Sequence, residues 1–396
     1  MTKYSWGLLF LTLTSTSAFA GEADIKIPDL NSVRFHVFGS DLSGMAILYA
    51  GLVVCALGVI YGLMQYRQTR DLPVHDKMRA VSNIIWETCK TYLMQQGKFL
   101  AVLWILIAIC MGYYFGGLQH EEVGKVVLIL LCSILGILGS YGVAWFGIRI
   151  NTVANSRTAF SALKGNPLAT LLIPLKSGMS VGLLLVSVEL FFMICILAFL
   201  KEMAGPCFIG FAIGESLGAS ALRICGGIFT KIADIGADLM KIVFNLPEDD
   251  PRNPGVIADC TGDNAGDSVG PTADGFETYG VTGVALIAFL ALALAADPGL
   301  CGVLIIWLFA MRILMILTSL ASYWVNDVVS KSIWGNSKDF NLEHPLTNLV
   351  WITSLVSIAV TYVASYLLLS KLPGHAGLWW VLSTIISLGT IAGALI

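Results

Sequence analysis

Charged residues are scarce in this chain of 396 residues: Asp, Glu, Lys and Arg make up 12%, whereas hydrophobic residues make up 57%. A soluble domain carries roughly twice that share of charge, so the composition excludes a soluble globular protein and indicates a membrane protein. The formal net charge is only -3, and no basic patch argues for nucleic acid as a partner. The partner that the composition predicts is the lipid bilayer.

Cysteines with metal-ligand spacing are also missing. The nine cysteines contain no CxxC pair and are scattered through or beside apolar runs. This distribution is typical of small buried side chains rather than of disulfides or metal sites. The sequence also has no low-complexity tract and no soluble domain between its apolar segments.

Long apolar runs are what the sequence has in abundance. About nine of them are long enough to cross a bilayer as helices. They lie at about 43–66, 99–117, 124–148, 178–200, 207–229, 276–296, 299–325, 347–370 and 376–396. The sequence therefore predicts an all-α, polytopic transmembrane helical bundle over residues 43–396.

The N-terminus has the pattern of a secretory signal peptide at residues 1–20. Lys3 precedes a short apolar stretch, and Ala18 and Ala20 stand before a polar segment, as in a cleavage site. An uncleaved anchor is the alternative. If the signal is removed, residues 21–42 form an external N-terminal segment.

Basic residues are concentrated in alternate loops. The basic loops contain Arg67, Arg70, Lys77 and Arg79, then Arg149, Arg157, Lys164 and Lys176, and later Lys331 and Lys338. The loops between them are short and not enriched in Lys or Arg. The positive-inside rule therefore predicts an external mature N-terminus and a cytoplasmic segment at about 230–275. We expect the membrane to be the inner (cell) membrane.

Three carboxylates form a regular column in that segment. Asp259, Asp263 and Asp267 are spaced i, i+4, i+8, so on a helix they share one face with about 6 Å of rise between neighbours. Such close carboxylates repel unless they hold cations, and oxygen-only ligands point to hard ions such as Mg²⁺. The alternative is an acidic, solvated helix start, because aspartate is favourable in a first turn.

A second acidic column precedes the first. Asp234 and Asp238 are also i, i+4, and Lys231 and Lys241 flank them three residues outside. Carboxylates hold metal and ammonium groups hold phosphate oxygens, so the mixture predicts a site for a metal-phosphate complex. The spacing excludes an EF-hand. The joining stretch NLPEDDPRNPG is rich in turn residues and predicts a hairpin that brings the two columns face to face.

Ionisable residues also occur inside predicted spans. Asp274 lies seven residues beyond Asp267 and Glu277 three further, so a regular helix keeps all three near one face. Arg223 stands near the cytoplasmic end of the preceding span. Charges inside a membrane usually mark ion paths and pair with the opposite sign, and we expect Arg223 to pair with Asp274. Glu189 and Glu215 are either interior hydrogen-bonded acids or transport groups.

These motifs resemble those of the membrane-bound, ion-pumping inorganic pyrophosphatases. The resemblance is carried by RICGGIFTKIADIGADLMK at 223–241, PEDDPRNPGVIADCTGDNAGDSVG at 247–270, ADGFE at 273–277 and ANSRTAFSAL at 154–163. It covers most of the chain from about residue 40 onward. Members of the family have about sixteen helices, and the chain is similar to their N-terminal half.

The resemblance implies a role for each charged residue in these motifs. It assigns Mg²⁺ binding to Asp234, Asp238, Asp259, Asp263 and Asp267, with Asp267 also orienting the attacking water. It makes Lys231 and Lys241 the pyrophosphate-binding lysines. It implies an ion gate made of Arg223, Asp274 and Glu277. Lys241 departs from the family pattern, since it stands one residue nearer to Asp238 and lacks the acid that usually follows.

Two functions are compatible with the sequence. One is hydrolysis of inorganic pyrophosphate coupled to outward movement of H⁺ or Na⁺, in a complete pump that is expected to be a homodimer. The other is a non-catalytic, cation-binding membrane protein, either a truncated remnant or a subunit that needs a separate C-terminal half with the remaining Asp and Lys motifs. The pumped ion and any dependence on potassium are not readable from the residues.

Overall fold

The fold is a bundle of long helices, described here from a computed structural model over residues 27–37, 39–247, 250, 252–253, 255–337 and 339–395. The helices are α1 Gly44–Arg70, α2 Asp76–Gly112, α3 Val123–Ala162, α4 Pro167–Phe199, α5 Ala204–Phe244, α6 Gly255–Val269, α7 Gly275–Ala293, α8 Pro298–Trp334, α9 Glu343–Leu369 and α10 Leu378–Leu395. A π-helical turn, Gly270–Asp274, joins α6 and α7 into one rod. Over the described part of the chain, nine helical rods are long and apolar enough to cross a membrane, which confirms the predicted bundle.

Several helices are much longer than a bilayer is thick. The 40 residues of α3 and the 41 of α5 correspond to about 60 Å each, against about 30 Å of hydrocarbon. The predicted spans at 124–148 and 207–229 are only the apolar parts of these helices. Hydropathy marks where lipid is crossed, whereas the helix continues through polar residues that still favour it.

Local capping groups start the helices where their sequences change. Ser43 accepts a hydrogen bond from the Ala46 amide at 3.1 Å, and Asn166 accepts one from Ala169 at 3.1 Å. Asp297 caps α8 through the Leu300 amide at 3.0 Å. Each of these side chains satisfies an amide that has no partner in the first turn.

Small residues allow the central helices to pack closely. α3 runs along α5, and backbone atoms of one helix approach the other at Gly136, Gly210 and Gly214. This is the usual way in which helices pack in membranes, where lipid removes the hydrophobic driving force between them. Phe211 and Phe276 are fully buried in the same core. The packing fixes α5 and the α6–α7 rod against α3.

A short β-hairpin precedes α1, which the sequence did not predict. β1, Arg34–Val37, pairs antiparallel with β2, Ser40–Ser43, in the register Arg34↔Ser43. Leu30 and Val33 are buried against the start of α8, near Gly302. The predicted signal peptide at 1–20 lies outside the described residues, as do Glu248, Asp249, Pro251 and Pro254 of the acidic hairpin and Lys338 of a basic loop.

Polar contacts bring the basic loops to the same end of the bundle as the acidic hairpin. Arg157 of α3 donates to the Arg70 carbonyl oxygen at 2.9 Å, which ties the end of α3 to the end of α1. On the same part of α3, Asn151 donates to Ser268 of α6 at 2.9 Å and accepts from Ser177 of α4 at 2.8 Å. The predicted clustering is therefore present, while the side of the membrane that this end faces stays a prediction.

Candidate functional site

The site is built on the close contact between α5 and α6, which run antiparallel. The Thr230 hydroxyl lies 3.1 Å from the carbonyl oxygen of Gly226 in its own helix and 2.6 Å from that of Gly262 in α6. A Cβ atom at Gly262 would lie 2.9 Å from the Thr230 Cα atom, so the two backbones almost touch. The contact places the faces that carry Asp234 and Asp263 next to each other.

The connecting loop is closed by its own polar groups. Asn253 is only 2% exposed; it donates to the Ala237 carbonyl oxygen at 3.1 Å and accepts from the Gly255 amide at 2.8 Å. Arg252 lies 2.7 Å from the Asp250 carboxylate, and its side-chain and backbone hydrogen bonds lower the pKa of Asp250 to about 2. The negative charge of Asp250 is therefore balanced by Arg252 within the loop.

The two acidic columns meet at the middle of this contact. The Asp263 carboxylate interacts electrostatically with Asp267 on its own helix and with Asp234 and Lys231 across the contact. The Lys231 ammonium lies 3.7 Å from Asp234, and 75% of its side chain is exposed. The predicted hairpin thus brings one lysine and carboxylates of both columns together on an accessible surface.

The remaining predicted residues lie farther along the same two helices, Asp238 and Lys241 toward the end of α5 and Asp259 near the start of α6. Asp238 and Asp259 are half-buried, and Lys241 is exposed in the last turn of α5. Among the residues that the structure describes, no three acids, histidines or cysteines converge closely enough to hold a metal by themselves. The donor set still fits Mg²⁺, because this ion is usually held by one or two carboxylates together with waters and substrate phosphates.

The predicted gate residues are paired. Arg223 of α5 contacts the Asp274 carboxylate directly, and its other terminal nitrogen lies 3.6 Å from Glu277. The arginine and aspartate side chains are 46% and 43% exposed, and Glu277 is 17% exposed. We expected a regular helix to keep Asp274 and Glu277 on the same face as Asp267. This expectation is wrong, because the π-helical turn before α7 interrupts the regular helix and rotates the rod.

Two residues deeper in the bundle were missed by the sequence reading. The Arg312 guanidinium of α8 lies 4.0 Å from the centre of the Tyr279 ring and donates to the Tyr279 carbonyl oxygen at 2.8 Å. Arg312 interacts electrostatically with both Glu189 and Glu215, and Tyr279 interacts with Glu189. The available signal was a lone arginine in the apolar run FAMRILM, since a charge in a span usually has a function.

Comparison with known proteins decides the family. Residues 56–396 match the model of a family described as inorganic H⁺ pyrophosphatase. The chain belongs to this family. The site residues identified above all lie within the matched range.

Relatives with curated names extend the comparison. The chain is 64% identical over 347 residues to a K(+)-insensitive pyrophosphate-energized proton pump of Chlorobaculum tepidum, which covers 87% of the chain and 46% of that relative. A pump of the same name from Pyrobaculum aerophilum is 36% identical over 248 residues, covering 61% of the chain and 34% of the relative. The chain thus spans about half the length, or less, of the curated relatives that it matches.

Proposed function

We propose that the chain supplies the N-terminal half of a membrane pyrophosphatase that hydrolyses inorganic pyrophosphate and moves protons outward. The observation that carries this proposal is that the same two helical rods, α5 and the α6–α7 rod, bear both the acidic columns and the gate residues. The α5 helix carries Lys231 and Asp234 near its end and Arg223 about two turns earlier. The α6–α7 rod carries Asp263 and, beyond the π-helical turn, Asp274 and Glu277. A change of charge at the columns therefore acts on helices that also hold the gate.

Each charged group of the columns has a role in this proposal. Lys231 and Lys241 bind pyrophosphate oxygens, and Asp267 accepts a hydrogen bond from the attacking water and orients it. The carboxylates that would hold Mg²⁺ are Asp234, Asp238, Asp259, Asp263 and Asp267. Bound Mg²⁺ neutralises charge on the phosphate oxygens. The water must be fixed in line with the bond that breaks, because phosphoryl transfer depends mainly on positioning and electrostatics.

The pumped ion in the proposal is H⁺. The relatives named above are described as proton pumps that are insensitive to K⁺, and we extend both properties to this chain. Sodium is the alternative ion. The proposed orientation places the α5–α6 loop in the cytoplasm and the β-hairpin outside, in the inner (cell) membrane.

An exposed apolar stripe beside the charged residues of α5 supports the proposal that a further part of the pump binds there. Ile228, Ile232, Ile235 and Leu239 of α5 are 54–66% exposed, next to Lys231 and Asp234. Large apolar side chains exposed in a row usually mark an interface. We propose that the C-terminal half of the pump covers this stripe and completes the phosphate site, and that the complete pump is a homodimer.

The experiment compares the chain alone with a reconstituted pump. Residues 21–396 purified in liposomes should bind Mg²⁺ yet show neither pyrophosphate hydrolysis nor proton uptake, because the water and the second phosphoryl group lack half of their ligands. Co-expression with the C-terminal half of a related pump should restore both activities, without added Na⁺ or K⁺. If assembly of the two halves is shown and neither activity appears, the second candidate, a non-catalytic cation-binding protein, replaces the proposal.

A further inference from the structure

Four ionisable side chains from four helices meet inside the bundle. They are Glu189 of α4, Glu215 of α5, Tyr279 of α7 and Arg312 of α8. Glu189 lies ten residues before the end of α4 and Glu215 eleven after the start of α5, each about 15 Å from its helix end. The group therefore sits near mid-membrane, where ionisable residues are costly and usually functional.

The two glutamates face each other with no donor between them. Both are 0% exposed, and none of their four carboxyl oxygens has a hydrogen-bond partner among the described residues. A methyl group placed on Gly280 would contact both carboxylates at once, so the two groups share one small space. Two adjacent carboxylates in a dry interior repel strongly, and such a pair retains a proton.

Arg312 determines how many protons the pair needs. Its guanidinium acts electrostatically on both glutamates, while its nitrogens lie 2.8 Å from the Tyr279 carbonyl oxygen and 3.3 Å from the Met193 sulfur. It thus supplies one positive charge to two carboxyl groups. One proton shared between the glutamates makes the group electrically neutral.

The pair continues the gate toward the other side of the membrane. Glu277 contacts Arg223 and also acts electrostatically on Glu215. Along α5, Glu215 stands eight residues before Arg223, which is about 12 Å. The charged residues therefore form a series from the gate to the middle of the bundle.

We propose that Glu189 and Glu215 share a single proton and form an intramembrane site that receives the pumped proton from the gate. This rests on the proposed function for its role in pumping, but the site itself does not. The proton is held as an O–H on one carboxyl group and donated to the oxygen of the other. Arg312 is a positioning residue that balances the remaining negative charge.

The test is the infrared carbonyl stretch of protonated carboxyl groups in the full chain in lipid at neutral pH. The parent should show such a band, shifted in D₂O. E189Q and E215Q should each abolish it, because a single glutamate beside Arg312 ionises. E121Q removes a half-buried acid that pairs with Lys125 at the other end; it is the control and should leave the band intact. A folded parent without the band, a band that survives in either single variant, or a band removed by NaCl but not by KCl would overturn the proposal.

A second variant addresses the geometry without removing an acid. G280A should shift the band, because the added methyl group forces the carboxyl groups apart, whereas G178A on α4, which has open space around it, should not. An unchanged band in correctly folded G280A would contradict the shared proton.

The transport role is measured in the assembly with the C-terminal half. E189Q and E215Q should lower proton uptake per pyrophosphate by about tenfold or more, and unchanged uptake would overturn the relay. Failure of the parent assembly to pump, with the infrared band present, would count against the proposed function and not against the site.

Discussion

The Thr230 hydroxyl of α5 lies 2.6 Å from the Gly262 carbonyl oxygen of α6, at a point where the backbones of the two helices almost touch. The hydrogen bond joins the column of Asp234 to that of Asp263. Since both columns repel in the absence of cations, this contact opposes their separation. Changes at this contact therefore test whether it holds the two acidic columns together.

G262A should destabilise the chain. The new Cβ atom would lie 2.9 Å from the Thr230 Cα atom, and backbone atoms cannot yield without moving a helix, which costs about 1–3 kcal/mol. Thermal unfolding in detergent should show a lower Tm. G236A on the partner helix α5, where a new Cβ atom would have no atom within 4 Å, should be neutral or stabilising by up to about 1 kcal/mol. Equal Tm values for the two variants would contradict the close contact.

Membrane orientation can be tested with a cysteine reagent that does not cross membranes. A cysteine at Gln119 should react from outside intact cells, whereas one at Arg252 should react only after lysis. Arg252 is chosen because its side chain is 75% exposed, while the neighbouring Asn253 is buried. The parent chain measures the background from native cysteines. Reaction of the Arg252 variant in intact cells would reverse the proposed orientation.

D263N should weaken Mg²⁺ binding in the presence of pyrophosphate. Asp263 interacts with acids on both helices, so its charge contributes to the attraction for a cation. We expect the affinity to fall by about tenfold, measured by calorimetry. E121Q, which removes a carboxylate that pairs with Lys125 at 3.0 Å at the other end, is the control. Equal affinity in D263N and the parent would remove Asp263 from the metal site.

R223Q should loosen the start of α7. It leaves Asp274 and Glu277, three residues apart, without their shared cation. Ion pairs that are open to solvent, as the pair of Arg223 and Asp274 is, stabilise by about 1 kcal/mol or less. Amide hydrogen exchange should therefore accelerate at residues 270–280. R223K keeps the charge and should restore part of the protection. Identical exchange in the parent and R223Q would show that the pairing does not hold this turn.

Much of the site could be predicted from the sequence, because the spacing of its aspartates along each helix and the isolated charges in the apolar spans are visible there. The i, i+4, i+8 aspartates and the contact between Arg223 and Asp274 follow from helix periodicity and from the cost of isolated charges in a membrane. Arg312 was not readable in the same way. Its neighbours come from α4, α5 and α7, and only the folded bundle shows that it stands beside two glutamates.

The sequence reading also missed features that depend on tertiary contacts. The β-hairpin was missed because four-residue strands such as RFHV carry little signal in the sequence. The hairpin is held by tertiary packing, since Val33, just before the first strand, packs against α8. Asn253 lies in the turn-rich stretch NLPEDDPRNPG, and that pattern does not reveal that its side chain is buried and donates to the Ala237 carbonyl oxygen. Hydropathy alone gave the lipid-crossing runs and not the helix ends, because it does not detect polar helical extensions.

The π-helical turn Gly270–Asp274 determines on which sides of the α6–α7 rod its acids lie. A straight α-helix with the same residues would set Asp274 almost directly below Asp267. The wider turn instead rotates the lower part of the rod relative to the upper part. Asp267 therefore stays beside Asp263, whereas Asp274 and Glu277 contact Arg223. On a regular helix the same residues would lie on one face, and the separation of the acids into two groups would be lost.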